Sequence, residues 1–360
     1  MITIGVDFHK RFSSYRVLDK NGNSIKKRKL ENDPDIIKEF LLSVPGPKQL
    51  AMEATRSWGL YYDCVKEHVD KFYLGHPKKM KAITESETKN DPSDANMIAR
   101  LTHSGFLPKA HVSSVTIREL RSLVRYRGSL VNQRRSTRNQ VHALIDRNVW
   151  PCHKPKSFKN IFCKRGLLWL KELSLPERER FILDQCLANF EALNKQIAVI
   201  EKYIQVQEHD LPGLKYLRTT PGFFTSVVNA YVVLVEASDI TRFRKARGFA
   251  HYAGLVPREY SSGDKHKTGH LVKGANMHLR TALIESTLSA IRTDKGLRAY
   301  YKQVKLRRGS GPAIIATARK LSYAIYHVLK EQRPYRAEKI QSPVATCHSS
   351  SVYVLKNSTR

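Results

Sequence analysis

The sequence has few cysteines, no long apolar run and little negative charge. Its cysteines are odd in number and widely scattered, and they form no CxxC pair: Cys64, Cys152, Cys163, Cys186 and Cys347. This pattern favours neither a zinc site nor a disulfide framework, and it indicates reduced thiols. No apolar run approaches the ~20 residues that cross a bilayer, and the first ten residues lack the apolar core of a signal peptide. We therefore expect a cytoplasmic protein without a membrane partner.

Positive charge dominates the composition. The chain has 63 lysines and arginines against 32 acidic residues, a formal net charge of +31 at pH 7. A charge of this size repels itself unless polyanions are the usual partner. Nucleic acid is the most general polyanion, because each phosphate that a protein neutralises releases condensed counterions. The charge therefore favours a nucleic-acid partner over the alternative, a ribosome-associated or membrane-surface protein without catalytic activity.

The first hundred residues alternate strand and helix signals. Strands are expected at residues 3–8, 14–18, 24–30, 49–53 and 71–74, and helices at residues 34–43 and 58–69. Asn21-Gly22, between the second and third strands, is a strong signal for a two-residue hairpin. Hairpin strands followed by alternating helices and strands indicate a mixed sheet flanked by helices.

The pattern becomes helical after residue 115. Residues 116–148 combine apolar residues at helical spacing with eight interleaved arginines, and residues 177–207 carry a second apolar stripe. Together they predict either a coiled-coil-like dimerisation arm or a plain helical subdomain. Residues 210–335 are expected to be mostly helical with a glycine-rich middle, and the last 25 residues read as a loose tail. The basic helices are expected to contact nucleic-acid backbone, which positions a strand without reading its sequence.

Four carboxylates follow predicted strands or begin a predicted helix. Asp7 and Glu53 stand near the ends of the first and fourth strands, and Asp91 and Asp94 are three apart at a helix start. Strand-end carboxylates meet at one edge of an α/β sheet. Such a cluster in a protein of charge +31 is suited to hold Mg²⁺, with a substrate phosphate completing the shell. Taken singly, Asp7 reads as a turn residue, Glu53 as a surface charge and Asp94 as a helix cap.

A serine loop is the second candidate. Ser262 precedes Gly263 in a segment expected to be a loop, with cationic residues nearby in sequence: Arg258, Lys265, His266, Lys267 and Lys273. A serine there is suited to attack a phosphodiester, because cationic neighbours or a metal can activate its weakly nucleophilic oxygen. A third candidate, Thr220-Pro221-Gly222 before an apolar helix, reads either as a phosphate-binding turn or, preferably, as a packing hairpin.

The order and spacing of these motifs resemble a known family. The motifs run from Gly5-Val6-Asp7, Met52-Glu53-Ala54-Thr55 and Lys89-Asn90-Asp91-Pro92-Ser93-Asp94-Ala95 to Pro221-Gly222, Tyr252-Ala253-Gly254-Leu255-Val256-Pro257, Ser262-Gly263 and Lys273-Gly274-Ala275-Asn276. From about Ile4 to Arg333 the chain resembles the DEDD transposases of the IS110 family, which include the pilin-gene invertase. Two positions depart from the family pattern: Phe224 replaces a second glycine of the Pro-Gly turn, and Asn90 replaces a threonine before the third acid.

The resemblance implies an α/β plus α architecture. It implies a RuvC-like, ribonuclease-H-fold domain at residues 1–110, a basic helical connector or dimerisation region at 111–209, a mostly helical transposase domain at 210–335 and a flexible tail at 336–360. It implies that Asp7, Glu53, Asp91 and Asp94 bind Mg²⁺, and that Ser262, or Ser261 if the register differs, is the nucleophile. It further implies DNA as substrate, a structured guide RNA, a homo-oligomer (dimer or tetramer) and association with the bacterial nucleoid.

Two other functions compete with this interpretation. A nuclease of the Holliday-junction-resolvase type would use the same acids with water as nucleophile and would form no covalent adduct with DNA. A non-catalytic nucleic-acid-binding protein would keep the basic surface and show salt-dependent binding without metal-dependent chemistry. The presence of all four acids and of the Ser-Gly pair argues against the second alternative.

Overall fold

The computed structural model describes residues 1–83, 91–155, 160–206, 211–262, 265–272 and 274–336. The chain divides into two compact units, Met1–Glu119 and Leu120–Arg360. The predicted four-part division of the chain stays a prediction. In the described residues, no helix is long and apolar enough to cross a membrane.

The first unit is built on a six-stranded mixed sheet. Its strands are β1 (Ile2–Phe8), β2 (Phe12–Leu18), β3 (Ser24–Glu31), β4 (Lys48–Glu53), β5 (Lys71–Gly75) and β6 (Lys109–Ala110), in the order β3-β2-β1-β4-β5-β6. β1, β2 and β3 are antiparallel, β4 and β5 run parallel to β1, and β6 pairs antiparallel with β5. The five predicted strands and the mixed sheet are confirmed. β6 was not predicted, because two residues are too few to show a period.

Helices cover both faces of this sheet. They are α1 (Pro34–Leu42), α2 (Trp58–Val65), α3 (Pro77–Ile83) and α4 (Asp91–His103). Ile4 and Val6 of β1 point to one face and pack with Leu50, Met52 and the inner sides of α1 and α2. Alternate residues of the same strands point to the other face, where Ala51 packs with Met80 of α3 and Ile98 of α4. The predicted helix at 58–69 is shorter in the structure, since α2 ends at Val65.

The second unit begins with a pair of long helices. α5 spans Val115–Asn148, with its first five residues in the first unit, and α7 spans Glu177–Val206; α6 (Lys164–Glu172) lies between them in sequence. The two long helices pack antiparallel: Leu130 of α5 contacts Leu193 and Ile197 of α7, whereas Val141 belongs with Leu187 to a second cluster. The apolar stripe predicted on residues 177–207 is therefore used within the chain, against α5.

The remainder of this unit is helical with one hairpin. The helices are α8 (Leu214–Leu217), α9 (Val227–Ala237), α10 (Ala246–Tyr252), α11 (Met277–Thr293), α12 (Lys295–Arg308) and α13 (Ser310–Lys330), and the strands are β7 (Pro257–Ser262) and β8 (Lys265–Leu271). Gly222 has φ +90°, and a Cβ placed there would lie 2.1 Å from the Ser286 carbonyl oxygen on α11. This close approach accounts for the Pro-Gly turn as a packing feature, as preferred from the sequence.

The hairpin corrects one sequence prediction. Ser261 and Ser262 were expected in a loop, but they end β7, where Ser261 pairs with His266 and Ser262 with Lys265. The two residues that separate the strands in sequence, Gly263 and Asp264, lie outside the described residues. A Gly-Asp pair between strand-forming segments is typical of two-residue hairpins, so the signal was present in the sequence.

Candidate functional site

Two strand-end carboxylates lie side by side at one edge of the sheet. β1 and β4 are parallel neighbours whose paired residues end with Val6 opposite Met52. One residue further along each strand stand Asp7 and Glu53. Because side chains alternate across a strand, Asp7 points to the same face as Gly5, and Glu53 to the same face as Ala51. Gly5 and Ala51 are cross-strand partners, so both carboxylates belong to the face covered by α4.

Because Gly5 has no side chain, α4 can pack directly against β1 on this face of the sheet. A Cβ built at Gly5 would lie 2.2 Å from the Ala95 carbonyl oxygen and 2.5 Å from the Ala99 backbone nitrogen. At the other end of the helix, His103 Nδ1 lies 3.5 Å from Thr3 Oγ1 of β1. The helix therefore runs antiparallel to β1, with its amino end towards the carboxyl end of the strand. Asp94, next to Ala95, is carried towards Asp7 by this arrangement.

For Asp91, the remaining predicted acid, only the position of the backbone is described. Asp91 is the first residue of α4, and its side chain lies outside the described residues. Among the side chains that the structure describes, no group of three or more His, Cys, Asp and Glu is close enough to hold a metal ion. The topology directs Asp7, Glu53 and the amino end of α4 to one edge.

Asp7 is largely buried and has a histidine neighbour. Its side chain is 13% exposed, and one carboxylate oxygen, Oδ2, lies 3.0 Å from His9 Nε2. The backbone of His9 is fixed on both sides, because its carbonyl accepts a 2.7 Å hydrogen bond from Asn32 Nδ2 and its amide donates to the Phe12 carbonyl at 3.0 Å. The sequence analysis missed His9, although its place two residues after Asp7 was a signal for it.

The donor chemistry of this edge fits a hard divalent cation. Asp7 and Glu53 offer carboxylate oxygens, which are the ligands that Mg²⁺ prefers. A carboxylate that is mostly removed from water in a chain of formal charge +31 is well placed to receive a cation and a phosphate together. Asp94 would add a further oxygen donor from α4.

Ser262 lies in the second unit. It is the last residue of β7, and Ser261 is next to it; the side chains of both serines are outside the described residues. The hairpin register sets Lys265 opposite Ser262 and His266 opposite Ser261. Cationic residues thus share the tip of the hairpin with the two serines.

The arginines of α5 mostly meet protein partners. Those with carboxylate or amide partners are Arg118 with Asp63, Arg121 and Arg125 with Glu236, Arg127 with Glu201, Arg134 with Asn194, Arg138 with Asn160, and Arg147 with Glu179. A guanidinium group paired with a carboxylate neutralises little additional phosphate charge, whereas one bonded to a neutral amide keeps its charge. The interpretation of α5 as a nucleic-acid-contacting helix therefore narrows to Arg134, Arg135 and Arg138, of which Arg135 is exposed.

One carboxylate of the second unit is fully buried. Glu236 of α9 is 0% exposed, and its two oxygens accept hydrogen bonds from Arg125 Nε and Nη2 at 2.8 and 2.9 Å. Asn276 Nδ2 also donates to Glu236 Oε2, at 2.7 Å, and to the Tyr252 hydroxyl at 3.1 Å. Asn276 in turn caps α11 by accepting from the Leu279 amide at 3.0 Å. Glu236 therefore ties α5, α9 and the start of α11 together.

This network also sets the protonation state of Glu236. Burial by itself raises the pKa of this carboxyl, but the hydrogen bonds from Arg125 and Asn276, with the charges of Arg125 and Arg121, bring the pKa below its usual value of 4.5. Glu236 is thus a structural carboxylate, and the sequence analysis missed it. It stands in a run of apolar residues, Ala230–Val235, which was the available signal.

Comparison with known proteins matches two separate parts of the chain to transposase families. Residues 4–149 match the DEDD family of IS110 type, described as a transposase, and residues 214–302 match the family described as the transposase IS116/IS110/IS902 family. The four predicted acids fall in the first match, and Ser262 falls in the second.

Curated relatives cover much of the chain. The chain is similar to a probable family 20 transposase of Pseudomonas aeruginosa, with 24% identity over 92% of the chain and 98% of the relative. It is similar to the transposase for insertion sequence element IS1111A of Coxiella burnetii, with 26% identity over 72% of the chain and 71% of the relative. A pilin gene-inverting protein of Moraxella lacunata shares 32% identity over 34% of the chain and 40% of the relative. The chain therefore carries, in order, two transposase domains of IS110 type.

Proposed function

We propose that the chain is a DNA transposase or site-specific recombinase that cleaves and rejoins DNA strands, with Asp7, Glu53, Asp91 and Asp94 holding Mg²⁺. The observation that supports this most directly is the parallel register of β1 and β4, which directs Asp7 and Glu53 to one edge on the face that α4 covers. The proposal includes a ribonuclease-H-like fold for the first unit, supported by an antiparallel β1–β3 meander followed by the parallel strands β4 and β5.

The acidic edge supplies the electrostatic part of this reaction. A divalent cation bound by these carboxylates would withdraw charge from the phosphate oxygens during strand cleavage. Asp7 and Glu53 would hold that ion, and their placement on rigid strands fixes the positions of the two carboxylates before the DNA strand arrives. His9, at 3.0 Å from Asp7, keeps one of the carboxylate oxygens in place.

Ser262 is the proposed nucleophile. Its Oγ loses its proton and forms an ester bond to phosphorus, and one of the two bonds from phosphorus to a deoxyribose oxygen breaks. The released oxygen takes up a proton and leaves as a hydroxyl. Rejoining is the reverse attack by a hydroxyl of another strand, which regenerates the serine. Ser261 is the alternative, and Lys265 opposite Ser262 in the hairpin supplies positive charge for the phosphoryl group.

The proposal extends to the partners. DNA as the substrate is supported by the net charge of +31, and by relatives described as transposases and as pilin gene-inverting proteins. A structured guide RNA and a dimeric or tetrameric assembly belong to the same proposal. They are supported by the resemblance of the motifs to the family.

A denaturing gel that traps protein–DNA adducts tests the chemistry. The purified chain is incubated with Mg²⁺, DNA of the element ends and RNA transcribed from the flanking region. We expect a slow-migrating adduct that disappears in Ser262→Ala, whereas Asp94→Asn loses cleavage and keeps DNA binding. The matched control is Asp35→Asn, an exposed carboxylate (94%) paired with Lys38 at 3.8 Å, which should cleave like the parent.

Other outcomes of this experiment contradict particular parts of the proposal. Cleavage retained in Asp94→Asn would contradict the assignment of Asp94 to the metal-binding acids. An undiminished adduct in Ser262→Ala moves the nucleophile to Ser261 or another residue. Cut DNA without any adduct means that water attacks, as in a Holliday-junction resolvase.

A further inference from the structure

A cavity lies beside the acidic edge of the first unit. Its volume is about 550 Å³, and it opens where β1 ends, between the amino-terminal parts of α1 and α2. This volume falls within the range of about 300–1,000 Å³ that is usual for small-molecule sites. The proposed chemistry does not use this space.

One wall of the cavity is apolar and aromatic. Phe8 and Tyr61 line it together with Leu60, and the rings of Phe8 and Tyr61 lie 5.2 Å apart at an angle of 66°. Tyr61 is itself fixed by a 3.2 Å hydrogen bond from its hydroxyl to Tyr15. Leu60 is 76% exposed at the mouth. A rigid aromatic wall with an exposed apolar lip suits a flat, partly apolar group such as a nucleobase.

The lining of the cavity also includes basic residues. They are Lys10, Arg56 and His9, and the described lining residues include no Asp or Glu. Ser57, which also lines the cavity, stands at the N-cap of α2, and in the described part of the chain its side chain makes no capping hydrogen bond. The start of α2 therefore lies at the cavity together with the two cations. This combination favours a phosphate.

His9 joins the cavity to the acidic edge. Asp7 and Glu53 point to the face of α4, whereas the cavity lies on the face of α1 and α2. The imidazole of His9 lines the cavity and also approaches Asp7 Oδ2 to 3.0 Å. His9 therefore links a group bound in the cavity to the Asp7 carboxylate.

We infer that this cavity binds one unstacked nucleotide of the DNA strand, next to the phosphate that the acidic edge receives. The base lies against Phe8, Leu60 and Tyr61, and its phosphate meets Lys10 and Arg56. This inference rests on the proposed function for the identity of the strand, but binding to the cavity requires neither a metal ion nor cleavage. The nucleotide chemistry is shared by DNA and RNA, so both must be compared.

Cys64 provides a direct probe of occupancy. This thiol lines the cavity, and burial raises its pKa. Cys186 in α7 is a matched internal control, because it is also partly buried and burial raises its pKa too. The full chain is treated with iodoacetamide in EDTA, with and without a saturating single-stranded oligodeoxythymidylate, and alkylation at each cysteine is followed by mass spectrometry. Saturation is verified by a mobility shift under the same conditions.

The expected result is selective protection. At an oligonucleotide concentration ten times Kd, a competing ligand slows the alkylation of Cys64 about elevenfold. Alkylation of Cys186 should be unchanged. In the double variant Lys10→Ala/Arg56→Ala the protection of Cys64 should disappear at the same concentration. The control Lys71→Ala/Arg100→Ala removes the same charge from exposed positions away from the cavity and should retain it.

Several outcomes would overturn the inference. Unprotected Cys64 at verified saturation means that the strand does not enter the cavity. Protection that persists in Lys10→Ala/Arg56→Ala, or that appears equally at Cys186, means that the effect does not arise there. Stronger protection by oligouridylate than by oligodeoxythymidylate assigns the cavity to RNA and overturns its assignment to DNA. Since no step requires Mg²⁺, failure here is distinguishable from loss of cleavage by Asp94→Asn.

Discussion

The two units each hold carboxylates away from water, but in opposite settings. Glu236 in the second unit is fully buried, and Arg125 and Asn276 donate hydrogen bonds to both of its oxygens. Asp7 in the first unit is at the end of a strand, 13% exposed, with His9 as its ionisable neighbour at 3.0 Å. A carboxylate neutralised by a guanidinium group stabilises a fold. A carboxylate at an open edge, with Glu53 in register beside it, is available to a cation.

The comparison separates stability from activity. Changes at Glu236 should mainly lower the free energy of unfolding, whereas changes at Asp7 should mainly lower the rate of cleavage. A residue that controls the packing beneath the acids should affect both. Conservative variants test each of these expectations, because the free energy of unfolding and the cleavage rate can be measured separately.

The largest effect is expected from Asp7→Asn. Under the proposed function Asp7 is a charged ligand of Mg²⁺, so its removal should lower the rate of strand cleavage by about 10³-fold, a difference of roughly 4 kcal/mol in the barrier. The amide fits the same space, so the thermal midpoint should change little. Single-turnover cleavage and thermal unfolding measure the two effects, with Asp35→Asn as the exposed control. A large loss of stability at unchanged cleavage would make Asp7 a structural residue like Glu236.

Glu236→Gln is the reciprocal variant. Removing the charge leaves Arg121 and Arg125 without their acidic partner, and breaking a buried ion pair costs about 3–5 kcal/mol. The lower end, about 3 kcal/mol, is expected, because Arg125 is 46% exposed and can be rehydrated. Urea unfolding measures this loss. DNA cleavage per folded molecule should be affected less than in Asp7→Asn, and an unchanged urea midpoint would contradict the structural assignment.

Gly5→Ala should affect both properties. A Cβ there meets the Ala95 carbonyl oxygen at 2.2 Å, so α4 must move away from β1. Overpacking of this kind costs about 1–3 kcal/mol. The displacement also moves Asp94 away from Asp7, so cleavage should fall in molecules that remain folded. Gly248→Ala in α10 is the control, since a Cβ there meets no described atom within 4 Å. Full cleavage activity in folded Gly5→Ala protein would show that strand cleavage does not depend on the position of α4.

The pH dependence of the free energy of unfolding should also reveal the contribution of the ionised Glu236 carboxylate. Because its folded-state pKa is lowered from 4.5, its ionised form stabilises the fold at pH values above its unfolded pKa. That contribution is lost as the pH falls from the unfolded pKa through the folded one. The stability difference between the parent chain and Glu236→Gln should therefore narrow as the pH falls from about 5 to about 3. A constant difference in urea midpoints over this interval would be inconsistent with the lowered pKa.

The smallest effect is expected at Arg147. Its ion pair with Glu179 is 3.2 Å long, and the arginine side chain is 64% exposed. Exposed pairs contribute about 0.2–1 kcal/mol, so Arg147→Ala should lower the free energy of unfolding by less than about 1 kcal/mol. Urea unfolding at low and high salt measures it. A larger, salt-independent loss would mean that the pair resembles the Glu236 network.

The sheet of the first unit was predictable because its strands carry their own signals. Asn21-Gly22 indicated the hairpin of β2 and β3, although the connection spans residues 19–23 instead of the two residues predicted, and the five predicted strands all form. The β7–β8 hairpin was missed because its serines, lysines and histidines lack an apolar face. The sequence of a polar, two-stranded ribbon shows no alternation of apolar and polar residues, so only its Gly-Asp pair indicated the hairpin.

The candidate site was predictable to a similar degree. Strand ends follow from the hydrophobic pattern, so Asp7 and Glu53 could be brought together from the sequence. Glu236 could not, since its role depends on contacts over long sequence separations, such as that with Arg125. His9 was missed although Asp7, which it contacts, is only two residues away. The arginines of α5 show the same limit as Glu236. Their spacing indicated a basic helix, but the sequence did not reveal which guanidinium groups meet carboxylates.

Because side chains alternate along β1, the number of residues between Gly5 and Asp7 decides which face of the sheet Asp7 points to. Asp7 stands an even number of residues after Gly5, so the contact that seats α4 and the acid share one side of the strand. Deleting one residue between Gly5 and Asp7 would turn the acid into the apolar layer under α1 and α2, although the composition would barely change. Inserting two residues there would leave it on its own side. Insertions and deletions between Gly5 and Asp7 therefore keep Asp7 on its face of the sheet only when they change the strand by an even number of residues.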